Sequence, residues 1–296
     1  MPLQPLIFGE VLFDHFPDGS QVLGGAPFNV AWNLQGLGLQ PQFVSAVGND
    51  AEGGRVREKM LGWGLDVDGL QINDECPTGS VNVSLDAGQP SFDIQAKRAY
   101  DRIQFPSFPV NVSEFSLLYY GSLAYRAEAS RETLDMLIES TSLKRFVDLN
   151  LRPPWFEDSW LGPLLQKATW LKLNDDELSC LVGVPVNGDS SLSRAASDLI
   201  QKYELEYLFV TLGEAGALGV HAEGRTVKVE SPRPLPFVDA VGAGDAFSAA
   251  LIAGILSEMP LDVMLREAAQ YAARICTIRG ATSEEKSIYR DVEFGP

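Results

Sequence analysis

Residues 237–256 read FVDAVGAGDAFSAALIAGIL and set two glycines, an alanine and an aspartate at the mouth of a long apolar helix. A helix N-terminus holds unpaired N–H groups and the positive end of the helix dipole. Such an end suits an anion, and Gly242, Ala243 and Gly244 would let one approach the backbone closely. Asp245 has two readings there. It can cap the helix, or it can take the proton of an attacking hydroxyl beside a bound phosphate, as phosphoryl transfer to an alcohol requires. The chain's two histidines, His15 and His221, lack metal-ligand spacing and read as structural, so a carboxylate is the better-placed base.

Three further polar stretches fall where strands should end. VDLNLR carries Asp148, Asn150 and Arg152 in alternation, exposed on one side if the strand continues. LKLNDDEL offers Lys172, Asn174 and Glu177, and VTLGEAG offers Thr211, Gly213 and Gly216 as a glycine turn able to meet a nucleotide. Doubly wound sheets gather ligands at the carboxyl ends of their strands. Each stretch alone reads equally well as an ordinary polar strand end, but together on one sheet edge they are harder to dismiss. No GxGxxG follows the first strand and no GxxxxGK[ST] occurs, which argues against hydride chemistry and excludes a Walker-type phosphate loop.

The elements that must hold these groups follow from pattern. The N-terminus predicts a strand, a hairpin turning at Pro17–Ser20, the pair Gly24-Gly25, and a helix from Pro27 to about Leu37. Residues 76–104 alternate apolar and polar positions, predicting two or three antiparallel strands without helices and a turn at Asp86-Ala-Gly88. From about residue 116, apolar strands alternate with helices, which implies a parallel sheet covered on both faces. The expected organisation is one α/β core (residues 1–11, 24–75 and 105–296) with a small β attachment (12–23 and 76–104).

Composition bounds the partners. A net charge of −17 over 296 residues disfavours nucleic acid and anionic membranes, yet leaves room for a small anion held locally. Cys76, Cys180 and Cys276 form no CxxC pair, so neither a zinc site nor a disulfide framework is expected. With neither a leader pattern nor a long apolar run, a cytoplasmic protein is expected, and the sequons at Asn82 and Asn111 carry no weight.

These motifs, in this order, resemble the ribokinase / phosphofructokinase-B sugar kinase family over nearly the whole chain. DAVGAGD is similar to the family's D-T-x-G-A-G-D, with Ala240 in place of threonine; GGAPFNVAWNLQGLG and VGNDAEG resemble its N-terminal motif. NDDE and VTLGEAG resemble its N-x-x-E and V-T-x-G-x-x-G elements. The resemblance implies a ribokinase-like, mostly parallel central sheet flanked by helices, with the β attachment as a lid over the sugar. It implies Asp245 as base and Gly242, Ala243 and Gly244 as the hole for the transferring phosphoryl group. Asn174 and Glu177 would position Mg²⁺ and phosphates, and Lys172, Thr211, Gly213 and Gly216 complete the nucleotide site. Asp14, Gly24, Gly25 and Asn29 would hold the sugar, with Arg152 similar to an arginine near the phosphates in fructokinase-like members. Asp239, the carbonyl of Val241, Ile278 and Gly280 match a loop that binds a monovalent cation in some relatives, which leaves K⁺ open.

The implied reaction is transfer of the γ-phosphoryl group of ATP to a sugar hydroxyl. The lid stretch resembles bacterial fructokinases more than ribokinases or adenosine kinases, so fructose is the expected acceptor. Lys97 and Arg98 would suit a phosphosugar if they faced the cleft; otherwise they are solvated lid charges. Relatives often dimerise by pairing their lid sheets edge to edge, and the resemblance leaves residues 76–104 able to form a homodimer in that way. The competing class is a sugar- or nucleotide-binding regulatory module, which predicts loss of the aspartate or the glycines; both are present.

Overall fold

The strands follow the chain as β1 (Gln4–Phe8), β2 (Leu12–His15), β3 (Gln21–Gly24), β4 (Gln42–Gly48), β5 (Leu70–Asn73), β6 (Gly79–Asp86), β7 (Gln89–Ile94), β8 (Phe115–Gly121), β9 (Lys144–Asp148), β10 (Trp170–Asn174), β11 (Tyr207–Thr211), β12 (Ala217–His221) and β13 (Thr226–Val229). The helices are α1 (Ala26–Gly36), α2 (Ala51–Trp63), α3 (Glu128–Glu139), α4 (Asp158–Gln166), α5 (Asp175–Val182), α6 (Asp189–Tyr203), α7 (Ala243–Leu256) and α8 (Leu261–Ile275). They are taken from a computed structural model that describes residues 4–86, 89–105, 114–233 and 236–290.

A nine-stranded sheet in the order β13-β12-β11-β10-β9-β8-β1-β4-β5 forms the centre of the fold. From β5 to β11 every neighbouring pair is parallel. Its central strands are apolar on both faces because helices cover both. One core gathers α3, α4, α5 and α6 residues such as Leu134, Leu164, Leu178 and Leu199; the other gathers Phe28 of α1, Met60 of α2, Leu251 of α7 and Leu265 of α8. The sheet edge departs from the parallel pattern. Gly216, at φ 99, reverses the chain, so β12 returns antiparallel to β11, and β13 turns back antiparallel to β12.

A separate four-stranded sheet has the order β3-β2-β6-β7. The β6–β7 hairpin is antiparallel as expected, but β6 lies parallel to β2, which fuses the two hairpins into one unit. The expectation of no helix in 76–104 needs one correction: Ala99–Arg102 is a 3₁₀ turn, held by the Asp101 carboxylate accepting the Arg98 N–H at 3.0 Å. The tip of the Asp86-Ala-Gly88 turn and the sequon at Asn111 lie outside the described residues.

The strand at VDLNLR stops at Asp148, and Asn150 takes a positive φ of 42. Asp148, Asn150 and Arg152 therefore do not share an exposed face: Asp148 is 0% exposed, while Arg152 is out in solvent. The reason is that Asp148 has a buried cation to meet.

Candidate active site

Two glycine-capped helices meet at the centre of the site. Gly242 precedes α7 at φ 79, and an added Cβ would lie 2.2 Å from that of Ala281. Gly25 precedes α1 at φ 108, where an added Cβ would stand 2.7 Å from the carbonyl oxygen of Glu10. Only glycine suits both places. Gly242→Ala should therefore lower the melting temperature by several degrees and abolish most activity, measured by thermal denaturation and turnover, while Gly54→Ala, in open space, changes neither.

Asp245 sits in the first turn of α7, but Gly242 is the N-cap, and Asn29 of α1 donates its Nδ2–H to Asp245 Oδ2 at 2.7 Å. The carboxylate is thus held across two helix mouths. Burial pushes its pKa up to about 6; Asn29 opposes that push, Asp148 adds to it, and Lys172 and Arg152 oppose it. The N–H of Ala243 is turned back to the carbonyl of Ala240 at 3.2 Å, so it is the first-turn N–H groups of Gly244 and Asp245 that lack an intrahelical acceptor.

Under this turn lies a buried cation. Lys172 Nζ donates to Asp148 Oδ1 and Oδ2 at 2.9 and 3.1 Å, and Ser248, one turn along α7 from Asp245, donates to Asp148 Oδ2 at 2.7 Å. A Cβ on Gly244 would come within 3.2 Å of the ammonium. Burial alone would discharge Lys172, but Asp148, Glu177 and Asp245 together hold its pKa above the ordinary lysine value. The result is a positive charge beneath the mouth of α7. Lys172 thus lies under the helix mouth, 7% exposed.

On the side of the four-stranded sheet, the half-buried Asp14 of β2 and Asn29 both approach Gly24. A Cβ on Gly24 would lie 3.8 Å from Asp14 Oδ2 and 4.0 Å from Asn29 Oδ1, and the latter is buried without a partner. Burial raises Asp14 to about 6, against the pull of His15 and Arg152. Lys97 is exposed, and Arg98 is half-buried at the start of the 3₁₀ turn.

Asn174 and Glu177 form a capping box at α5. Glu177 N–H donates to Asn174 Oδ1 at 2.7 Å, Asn174 N–H donates to Glu177 Oε2 at 2.8 Å, and Leu151 N–H donates to Glu177 Oε1 at 2.7 Å. Glu177 thereby ties the loop after β9 to the end of β10. Thr211 Oγ1 is 3.4 Å from the carbonyl of Leu173, and Gly213 and Gly216 shape the exposed turn beyond it. Asp239 clamps the neighbouring loop: it accepts from Val241 N–H at 3.0 Å and Gly280 N–H at 3.1 Å, with Ile278 in the same segment. Among the described residues no three His, Cys, Asp or Glu side chains gather as a metal cage. The donor set is instead one of backbone N–H groups and a lysine, which fits phosphate oxygens.

Motif reading missed Glu10 and Ser248. Glu10 stands one glycine beyond the apolar strand β1, and a lone acid inside PLIFGEVLF was the available signal. Ser248 looks like one more small residue of an apolar helix until Asp148 is placed beside it.

A helix mouth with first-turn N–H groups free of intrahelical acceptors, a carboxylate held beside it and the polar side chains of Asp14 and Asn29 next door are groups that a phosphotransferase with an alcohol acceptor would use. The chain belongs to the pfkB family of carbohydrate kinases, whose match runs over residues 7–287. A fructokinase of Salmonella typhimurium is 29% identical over 94% of this chain and 93% of its own length. A fructokinase of Klebsiella pneumoniae is 30% identical over 84% and 83%. The crystal structure of an uncharacterized sugar kinase from Pyrococcus horikoshii in complex with ATP superposes with a TM-score of 0.80 at 27% identity, over 98% of this chain and 99% of that one. The expected ribokinase-like sheet with a small second sheet is the fold observed. Among the described residues no helix is long and apolar enough to cross a membrane.

Proposed function

We propose that this chain transfers the γ-phosphoryl group of ATP to a hydroxyl of D-fructose, with Asp245 as general base. The observation that carries the reading is the placement of Asp245, fixed by Asn29 beside the first-turn N–H groups of α7 and above the Lys172 ammonium. The sugar hydroxyl gives its proton to Asp245 as its oxygen bonds the γ-phosphorus; the bond from that phosphorus to the bridging oxygen breaks, and ADP leaves. The N–H groups of Gly244 and Asp245 face the charge on the phosphoryl oxygens, and Lys172 backs them. Mg²⁺ would enter on the nucleotide phosphates, the usual mode for an ion that keeps its waters.

The four-stranded sheet serves as the lid over the sugar, with residues 12–23 and 76–104 moving as a unit against the core. Asp14, Gly24, Gly25 and Asn29 hold the sugar, and Arg152 attends the phosphates. The nucleotide lies along Asn174, Thr211, Gly213 and Gly216, and Glu177 keeps that edge in place. The loop tied by Asp239 takes K⁺, and the free edges β3 and β7 offer a surface for a second copy. A free sugar is favoured over a phosphosugar, because the acceptor groups of Asp14 and Asn29 suit hydroxyls and repel a phosphate. Cytoplasm, where ATP is supplied, is the fitting compartment.

The test is ADP release from MgATP against free and phosphorylated sugars, with and without K⁺. Fructose should give the strongest sugar-dependent signal. A stronger signal with a phosphosugar or a nucleoside would replace the acceptor, and no sugar-dependent signal despite ATP binding would favour a non-catalytic binding module.

A further inference from the structure

A buried acid that the proposed reaction does not use stands at the carboxyl end of β1. Glu10 is 4% exposed, and its Oε2 is buried with no hydrogen-bond partner among the described residues. Its own carbonyl lies against Gly25, the residue that opens α1 toward the site. The charges that act on its carboxyl come from three directions: Arg152 from the loop after β9, Asp245 from α7, and Arg126 from the segment before α3. Glu10 therefore sits beside the mouth of α1, the helix that carries Asn29, within reach of the charges of these three elements.

Arg126 does not neutralise it. That guanidinium is committed to Asp101 at 2.8 and 3.0 Å, to the Gln95 carbonyl at 2.8 Å and to the Tyr100 hydroxyl at 2.9 Å. Its Nη1 is left buried without a partner, as is Oδ1 of Asn29. An unpaired buried polar atom is costly, and Oε2 of Glu10 and Oδ1 of Asn29 are two such acceptors on residues packed at the mouth of α1, where a ligand that donates would pair them. A polyol does so, since each hydroxyl both donates and accepts.

We propose that Glu10 is a specificity-determining residue whose Oε2 accepts one hydroxyl of the sugar. This rests on the sugar kinase reading above. Burial, the first cause, and then Asp245 raise the carboxyl to about 7 against its own backbone N–H, Arg152 and Arg126. Ionised Glu10 is the stronger acceptor, so the wild-type KM for sugar falls as pH rises through about 7.

The test compares wild type, Glu10→Gln and Glu10→Ala by ADP release with D-fructose and its monodeoxy analogues at saturating MgATP, with melting curves and D-fructose binding by calorimetry. Glu10→Gln should melt as wild type, keep the KM for MgATP, and raise the KM for fructose by about tenfold, with Glu10→Ala worse. It should also lose the fall in KM above neutrality and stop discriminating against one deoxy analogue that wild type rejects. A folded Glu10→Gln with wild-type fructose KM and analogue pattern overturns the inference while leaving the kinase reading intact. Should the variants not fold, the analogues decide on wild type alone: if removing no single hydroxyl costs about threefold or more, Glu10 holds none. Wild type that neither turns over nor binds fructose overturns the sugar reading, and this inference with it.

Discussion

Asp245→Asn should fold, bind ATP and sugar, and turn over about 10²–10⁴-fold more slowly than wild type, the usual contribution of a positioned general base. The substitution is close to isosteric, and the new amide oxygen can still accept from Asn29, so the two helix mouths stay joined. What it removes is the proton acceptor beside the phosphoryl cradle. The pH profile is a second readout. Asp245 must be ionised to act, so kcat/KM in wild type should climb with pH through about 6 and level off above it.

The stability signature of the same variant has a definite sign. The ordinary carboxylate value here is 3.8, and the folded value is about 6, so the native state binds this proton more tightly than the unfolded chain. The contribution is present below about 4 and is lost as pH rises through about 6. In the ligand-free protein, Asp245→Asn should thus melt at or above wild type at pH 7.5 and gain nothing at pH 4. Turnover within about threefold of wild type at every pH would remove Asp245 from the role of base.

Much of this is legible in the sequence. The alternation of apolar strands and helices implied a parallel two-faced sheet, because only buried strands read as continuous apolar runs. The glycines before Asp245 signalled a helix mouth open to an anion. What could not be read was the partner of each polar group. Asp148 looks like an exposed strand-end acid, but its exposure depends on Lys172 arriving from the next strand and Ser248 from a helix a hundred residues away. Asn174 and Glu177 are recognisable as a motif, yet their hydrogen bonds to each other's backbone and to Leu151 are set by how two loops pack. The antiparallel edge at β12 and β13 was hidden because a glycine turn inside VTLGEAG says nothing of which way the next strand runs. Glu10 was passed over because a single acid in an apolar run has no periodicity to mark it.

The second large effect follows from the buried pair. Asp148→Ala strands the Lys172 ammonium in a site where both partners are almost wholly enclosed, at 8% and 0% side-chain exposure. Breaking a buried pair from one side costs about 3–5 kcal/mol, which lowers the melting temperature on the order of 10 °C. The loss should be largely repaired by removing the charge as well: in Lys172→Met/Asp148→Asn the amide can still accept from Ser248, and nothing is left unpaired on the lysine side. Activity should not return with stability, because the ammonium that backed Gly244 is gone and the cradle has lost its fixed positive charge. A double variant with wild-type melting and a kcat at least about tenfold down separates the two roles of Lys172. If instead the double variant works as well as wild type, the lysine only holds the fold, and the anion cradle rests on the helix N-terminus alone.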